Sequence, residues 1–320
     1  VKNKKMKVID IFAGAGGLSL GFASNPFFEI IGAYDNWNIA VKNYQNNLEH
    51  TIFEFDLSKT TEAIDHIQKF SPEIIVGGPP CQEFSHAGHR SEGKVADLTL
   101  SYALIVTAIK PICFVMENVD RAVKSQTVAK AREIFRKSGY GLVEKVLNAS
   151  YCGVPQNRKR YFCIGILNHN ETYLNTLIDN AISHKPLTVR DYLGEEINIE
   201  YYYRHPRNYN RRGIFSIDEP APTIRGVNRP VPKGYLGHIG DPVRVTENLR
   251  SLTTYERSRL QTFPKSYKWI GTKTEIEQMI GNAVPVSLGK FIADRISEYY
   301  NQCDYLRIRQ ELNKTQMVLV

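Results

Sequence analysis

The sequence predicts an α/β fold: a doubly wound, mostly parallel sheet with a second, smaller, irregular β-rich domain. Three observations predict it. Apolar, β-rich runs alternate with helical stretches from residue 7 to 165. That alternation stops near residue 186, where a stretch rich in Pro, Gly, Tyr and Arg begins. From about residue 275 helical periodicity returns. Strands separated by helices imply βαβ units and a parallel sheet.

The elements follow in order. "KVIDIF" is an apolar β-run, and "LSLGFAS" a short helix after a Gly turn. "EIIGAYD" is a second strand and "NIAVKNYQNNL" a helix. "TIFEFD", helix "TEAIDHIQKF" and strand "EIIVGG" continue the series. Helix "TLSYALIVTAIK" precedes strand "ICFVMEN", and helix "TVAKAREIFRKSG" precedes "GLVEKVLNAS". "RYFCIGIL" closes it. The predicted division is residues 1–186 plus 275–320 for the first domain and 187–274 for the second. In such sheets ligands gather at the carboxyl ends of the strands.

Composition bounds the class. The chain has 320 residues, of which 42% are hydrophobic and 23% charged. That is enough apolar material for one large core or two smaller ones. No apolar run reaches membrane-spanning length, and no signal core follows the basic start. An intracellular, cytoplasmic protein is expected. Five cysteines without CxxC spacing speak against a disulfide framework or a zinc site, and no metal is expected. Cys113 and Cys163 sit in apolar runs and read as core residues, whereas Cys81 follows two prolines and precedes a polar loop.

Net charge is +8. Residues 203–234 carry seven Arg or Lys against Asp218 and Glu219, with tyrosines at 201, 202, 203, 209 and 235. Basic and aromatic side chains so interleaved suit phosphate contacts and base stacking. The tyrosine run 201–203 itself reads better as a buried strand.

Five strand ends carry candidate chemistry. "DIFAGAGGLSLGF" is a strand, a Gly-rich turn and a helix start, but it fails the GxGxxG dinucleotide pattern because Ser19 stands at the sixth position. Asp35 ends the second strand, where an acid can accept from ribose hydroxyls. Asp56 ends the third, where an acid can accept from an adenine amino group. Two such acids without a phosphate loop suit an adenosine cofactor lacking phosphates. "GGPPCQEF" then places the Cys81 thiol at the fourth strand end, and "MENV" places Glu117 at the fifth. "PQNRKR" adds Gln156, Arg158 and Arg160. A thiol, a carboxyl and arginines at adjacent strand ends suit nucleophilic catalysis.

Six ordered blocks now stand together: "DIFAGAGG", "GGPPCQEFS", "MENV", "QNRKR", "NLRSLTTYERSRLQTFP" and "GNAVPVSLG". They resemble the cytosine carbon-5 DNA methyltransferases of the bacterial restriction–modification type, over nearly all of residues 7–300. The resemblance implies the Rossmann-like fold of S-adenosylmethionine-dependent methyltransferases, with residues 187–274 as a target-recognition domain. It implies that Cys81 attacks cytosine carbon 6, that Glu117 bonds at N3 and the amino group, and that Arg160 approaches O2. Arg158 would support the thiol or a phosphate, and Gln156 joins this catalytic group. The cofactor, S-adenosyl-L-methionine, would be held by Phe12, Gly14, Gly16, Gly17, Asp35, Asp56, Pro79, Leu98 and Asn282. Thr223 and Ile224 match the family's Thr-plus-aliphatic signature, with Arg225, Asn228 and Arg229 beyond it as base readers. Gln82, Ser85 and Gly88 belong to a loop expected to close over the DNA.

Two departures from the family pattern stand out. Asn36 follows the ribose acid where the family has a large apolar residue, and Trp37 comes one position later. "GKVADL" keeps only Leu98 of its block. His86 and His89 receive no role. The implied partner is double-stranded DNA, with the base flipped out for reaction. The enzyme would act as a monomer on DNA, be nucleoid-associated when bound, and share its site with a cognate restriction endonuclease. Alternatives are an RNA (tRNA) cytosine-5 methyltransferase, a catalytically silent DNA-binding homologue, and an amino-group methyltransferase. The last is opposed by the cysteine in "GPPC".

Overall fold

The computed structural model describes residues 5–80, 98–168, 172–208 and 210–302. Its first body runs β1 (Met6–Ile11), α1 (Gly17–Ala23), β2 (Phe28–Asp35), α2 (Asn38–Asn47), β3 (Ile52–Glu54), α3 (Thr60–Ile67) and β4 (Ile74–Gly77). It continues with α4 (Leu98–Ile109), β5 (Cys113–Val119), α5 (Gln126–Lys137), β6 (Tyr140–Asn148), β7 (Gln156–Asn157), β8 (Lys159–Leu167) and α6 (Thr172–Ala181). Seven of these strands form one sheet in the order β3-β2-β1-β4-β5-β8-β6. The alternation in the sequence therefore yields the doubly wound sheet it predicts.

The chain order reverses between β1 and β4, which pair in parallel. A crevice opens at such a switch point, because the connections leave β1 and β4 towards opposite faces. The closing strand is not at the edge: β8 lies between β5 and β6 and is antiparallel to both. The short link from β6 to β8 leaves no room for a crossover helix, so the chain folds straight back.

Alternation along β1 sends Met6 and Val8 into one core layer and Ile9 and Ile11 into the other. The first layer is covered by α1, α6 and α10 (Val286–Gln302), through residues such as Phe22, Ile178 and Ile292. The second is covered by α3, α4 and α5, through Ile67, Val106 and Phe135. Cys113 and Cys163 are fully buried among these residues, as their apolar settings predict.

The remaining elements are α7 (Val189–Leu193), β9 (Tyr201–Tyr203), β10 (Ile214–Ser216), β11 (Ala221–Pro222), α8 (Thr254–Leu260) and α9 (Lys273–Asn282). Strands β9 and β10 pair antiparallel, and Tyr202 and Tyr203 are buried. Tyr202 and Tyr203 are thus core, while Tyr201 is exposed. Strand β11 pairs with β7, joining this segment to the first body. Beyond α8 the chain packs back on that body, where Tyr267 donates to the Ala15 carbonyl. Capping boxes at Thr253 and Thr272 start α8 and α9.

Candidate active site

The crevice at the switch point is a cavity of ≈ 540 Å³. Its floor is the turn after β1. Phe12, Gly14 and Gly16 take positive φ there. The Gly14 amide donates to Asp35 Oδ2 and the Trp37 amide to Asp35 Oδ1, each at 2.8 Å. Asp35 therefore ties the turn to the start of α2. Burial raises its carboxyl above the ordinary range, and these amides oppose the rise.

Of the residues predicted to hold a cofactor, Phe12, Gly14, Gly17, Asp35, Asp56, Pro79, Leu98 and Asn282 line this one cavity. Gly16 does not. A Cβ on it would meet the Tyr44 ring at 2.9 Å, so it serves packing. Gly17 borders the cavity, but a Cβ there would lie 2.2 Å from the Val284 carbonyl. A side chain at either glycine would strike neighbouring protein, and Gly17 also borders the cavity. Asp56 is exposed and accepts from the Ser58 amide, with that residue's hydrogen bonds holding its carboxyl below the usual range. Asn36 and Trp37 both reach the wall, so the structure brings both sequence candidates to the same place.

Sequence reading missed Asp10, which also lines the cavity. Its Oδ2 accepts from Ser19 Oγ at 2.6 Å, and Tyr44 donates to that same Oγ. Its Oδ1 is buried with no hydrogen-bond partner. Burial pushes this carboxyl up to about 7, helped by the neighbouring Asp35 charge and opposed by Ser19. The available signal was an acid inside the apolar run "VIDIF".

The described lining carries four carboxylates, Asp10, Asp35, Asp56 and Glu117, against one guanidinium, Arg160. A phosphorylated nucleotide would be repelled by that wall. An uncharged adenosine bearing a cationic tail suits it.

Glu117 stands at the end of β5, buried, with Oε1 2.9 Å from Arg160 Nε on the adjacent β8. Burial raises its carboxyl, while Arg160 and Arg158 pull it down. The side-chain amide of Asn118 donates to the Pro79 carbonyl at 3.1 Å, fastening the end of β4 to β5. Pro80 borders the same cavity as Glu117. Cys81, Gln82, Ser85, His86, Gly88 and His89 lie outside the described residues.

Gln156 and Arg158 are fully enclosed. Gln156 donates to Gln261 Oε1 and the Leu260 carbonyl, and accepts from the Ile224 amide. Arg158 donates to the carbonyls of Ile224, Gly281 and Ala283 at 2.9 to 3.0 Å. Both clamp the Thr223–Ile224 segment to the first body. Burial, then the Arg160 charge, lowers the pKa of Arg158.

A second cavity, of ≈ 770 Å³, adjoins the first. Nine of its lining residues are Arg or Lys, and Asp120 is the one acid in that lining. Arg160 and Asn282 line both cavities. Thr223, Ile224 and Arg225 border this cleft, while Arg229 borders a neighbouring groove. Thr223 Oγ1 donates to the Asn157 carbonyl. Asn228 turns its amide inward, to the Leu252 carbonyl and Glu277. Arg204 belongs to the basic segment read from the sequence; burial and the Arg225 charge lower it to about 10, and it donates to the Thr223 carbonyl.

The sequence profile of the C-5 cytosine-specific DNA methylases matches residues 6–298. The Type II methyltransferase M.HindV of Haemophilus influenzae is 55% identical over 297 residues, covering 92% of this chain and 97% of that protein. The chain belongs to the C-5 cytosine-specific DNA methylase family. The Type II methyltransferase M.HgiDI of Herpetosiphon aurantiacus is 52% identical over 298 residues, covering 93% and 96%. Two solved structures share the fold of this family member. The S. pombe Dnmt2 methyltransferase superposes with a TM-score of 0.71 at 19% identity, over 92% of this chain and 99% of that one. The Entamoeba histolytica methyltransferase EhMeth gives 0.63 at 17% identity, over 94% and 99%. Both likenesses extend over nearly the whole chain, so the fold is shared along its length.

Among the described residues there is no cluster of His, Cys, Asp or Glu suited to a metal. Among those residues, no helix is long and apolar enough to cross a membrane.

Proposed function

We propose that this chain is a sequence-specific DNA (cytosine-5-)-methyltransferase of a restriction–modification system, using S-adenosyl-L-methionine. The observation that carries the reading is the junction of two cavities of opposite charge. The acidic one has room for an adenosine cofactor, the basic one suits a phosphate backbone, and buried Glu117 with Arg160 stands between them.

Phe12, Trp37, Asp35, Asp56 and Asn282 would hold the adenosine part of the cofactor. Bound there, the cofactor supplies a methyl group made electrophilic by its sulfonium. The target cytosine must leave the duplex to reach this junction. Cytosine carbon 5 is a poor nucleophile, and thiolate addition at carbon 6 makes it enamine-like. Cys81 follows Pro80 directly in sequence and is the residue proposed for that attack.

Glu117 would hydrogen-bond at N3 and the amino group. Donation to N3 requires a proton on the carboxyl, and burial favours keeping one. Arg160 would orient Glu117 and face the pyrimidine O2, stabilising charge that builds up during addition. Loss of the carbon 5 proton then expels the Cys81 thiolate and restores the ring. Gln156 and Arg158 are proposed as positioning residues for this centre.

Duplex DNA is the proposed partner, bound by a monomer, with an endonuclease of the same specificity acting on unmodified sites. The test is sequencing of 5-methylcytosine in DNA from cells expressing the chain, beside transfer assays on duplex DNA and tRNA. Methylation at one short DNA motif is expected, and Cys81→Ala should abolish it while leaving DNA binding. Label appearing in tRNA alone would overturn the reading.

A further inference from the structure

Residues 235–241 form a braced loop whose tip is apolar. Leu236 is 96% exposed and Ile239 101% exposed. Isolated surface hydrophobes are common and need no explanation. These two differ because the loop is held at its root and cannot fold them inward. Asp241 Oδ1 accepts from the amides of Gly213 and Ile214, each at 2.9 Å. Its Oδ2 accepts from the Tyr235 hydroxyl at 2.6 Å and the His238 amide at 2.8 Å. The Gly240 amide donates to His238 Nδ1. Tyr235 is itself buried, its ring 5.1 Å from that of Tyr203. Such a root fixes the backbone while leaving the two aliphatic side chains in water.

The loop lies next to Arg212, a residue of the basic cleft. A Cβ on Gly240 would lie 3.8 Å from the Arg212 Cβ, and Arg212 lines that cleft with Arg207 and Arg211. Lys233 and Arg244 flank the loop in sequence. An exposed apolar tip on a loop that adjoins a cation-lined cleft suits a polyanion that also presents apolar groups. DNA does so through thymine methyls in the major groove and through the faces of base steps.

We propose that Leu236 and Ile239 form an apolar edge that contacts bases at one end of the recognition site. The edge supplies discrimination, while the neighbouring arginines supply affinity to phosphates. The proposal rests on the DNA-methyltransferase reading.

The experiment uses the full chain and two synthetic duplexes. One is centred on the cytosine that wild-type protein methylates most, and one is its scrambled counterpart. The double variant Leu236→Ala/Ile239→Ala should keep the wild-type Tm, since both side chains are solvent-exposed. It should bind the specific duplex roughly tenfold or more weakly and the scrambled duplex nearly as before. The slope of log Kd against log salt should not change, whereas Arg211→Ala should reduce it by about 1. Equal weakening on both duplexes, or a specific affinity within about twofold of wild type, would overturn the proposal. So would loss of a wild-type dimer in sedimentation, which would assign the edge to a second copy of the chain. Wild-type protein that leaves duplex cytosines unmodified would instead refute the functional reading beneath it.

Discussion

Replacing Asp10 by asparagine separates the cost of a buried carboxylate from everything else that titrates. Asp10 is fully enclosed, with one oxygen on Ser19 and the other without a partner. Its folded value is about 7, against an ordinary 3.8. Below the ordinary value both folded and unfolded states are protonated, and the carboxyl's contribution to stability is fully present. As pH rises through about 7 the native state must ionise in a dry site, and that contribution is lost. The gap between the two values is worth about 4 kcal/mol, spread at about 1.4 kcal/mol per pH unit. Asparagine keeps an acceptor for the Ser19 hydroxyl and does not titrate. Urea unfolding of wild type and Asp10→Asn, from about pH 5 to about pH 8, gives the difference directly. Wild-type stability relative to the variant should fall by about 3 kcal/mol across that range. A difference flat to within about 0.5 kcal/mol would refute the burial argument.

Other perturbations follow from the same geometry. Gly17→Ala drives a methyl against the Val284 carbonyl, which costs about 1–3 kcal/mol; scanning calorimetry should show a Tm lower by several degrees, and calorimetric titration a weaker cofactor complex. Glu117→Gln should lower the single-turnover rate by roughly 10²–10³, with cofactor affinity kept, because an amide has no acidic proton to give to N3 as addition proceeds. Arg158→Met leaves three buried carbonyls unserved, at about 1–3 kcal/mol each, offset in part by removal of a buried charge. It should raise KM for DNA as well as lower stability, and Arg158→Lys should not rescue it, since one ammonium cannot span three carbonyls as the guanidinium fork does.

Much of the catalytic body was legible. Strand ends carrying Asp35, Pro79 and Glu117 were found because β-runs end in recognisable turns and the fold places ligands there. Asp10 escaped because an acid inside an apolar strand looks like a local interruption. Its meaning comes from Ser19, Tyr44 and Asp35, which meet it only after folding. Arg204 was read only as one of several arginines in an irregular stretch, because its burial beside Arg225 arises from packing.

The roles of Gln156, Arg158 and Asn228 show the other side. Their residue types suit catalysis or base reading, and nothing local says otherwise. Packing brings carbonyls to the terminal nitrogens of Arg158 and to the Asn228 amide, and brings the Ile224 amide to Gln156. The order of β8 between β5 and β6 was equally invisible, because strand patterning does not encode neighbours.

By itself the sequence determined the alternating architecture, the family and which candidate residues stand at the strand ends, because periodicity and motif spacing are local properties of the chain. Only the tertiary structure decided which side chains are clamps and which are free, and where opposite charges meet. Those outcomes depend on desolvation and on contacts between residues far apart in sequence. Glu117 beside Arg160, between an acidic cavity and a basic cleft, exists only once β5 and β8 lie side by side.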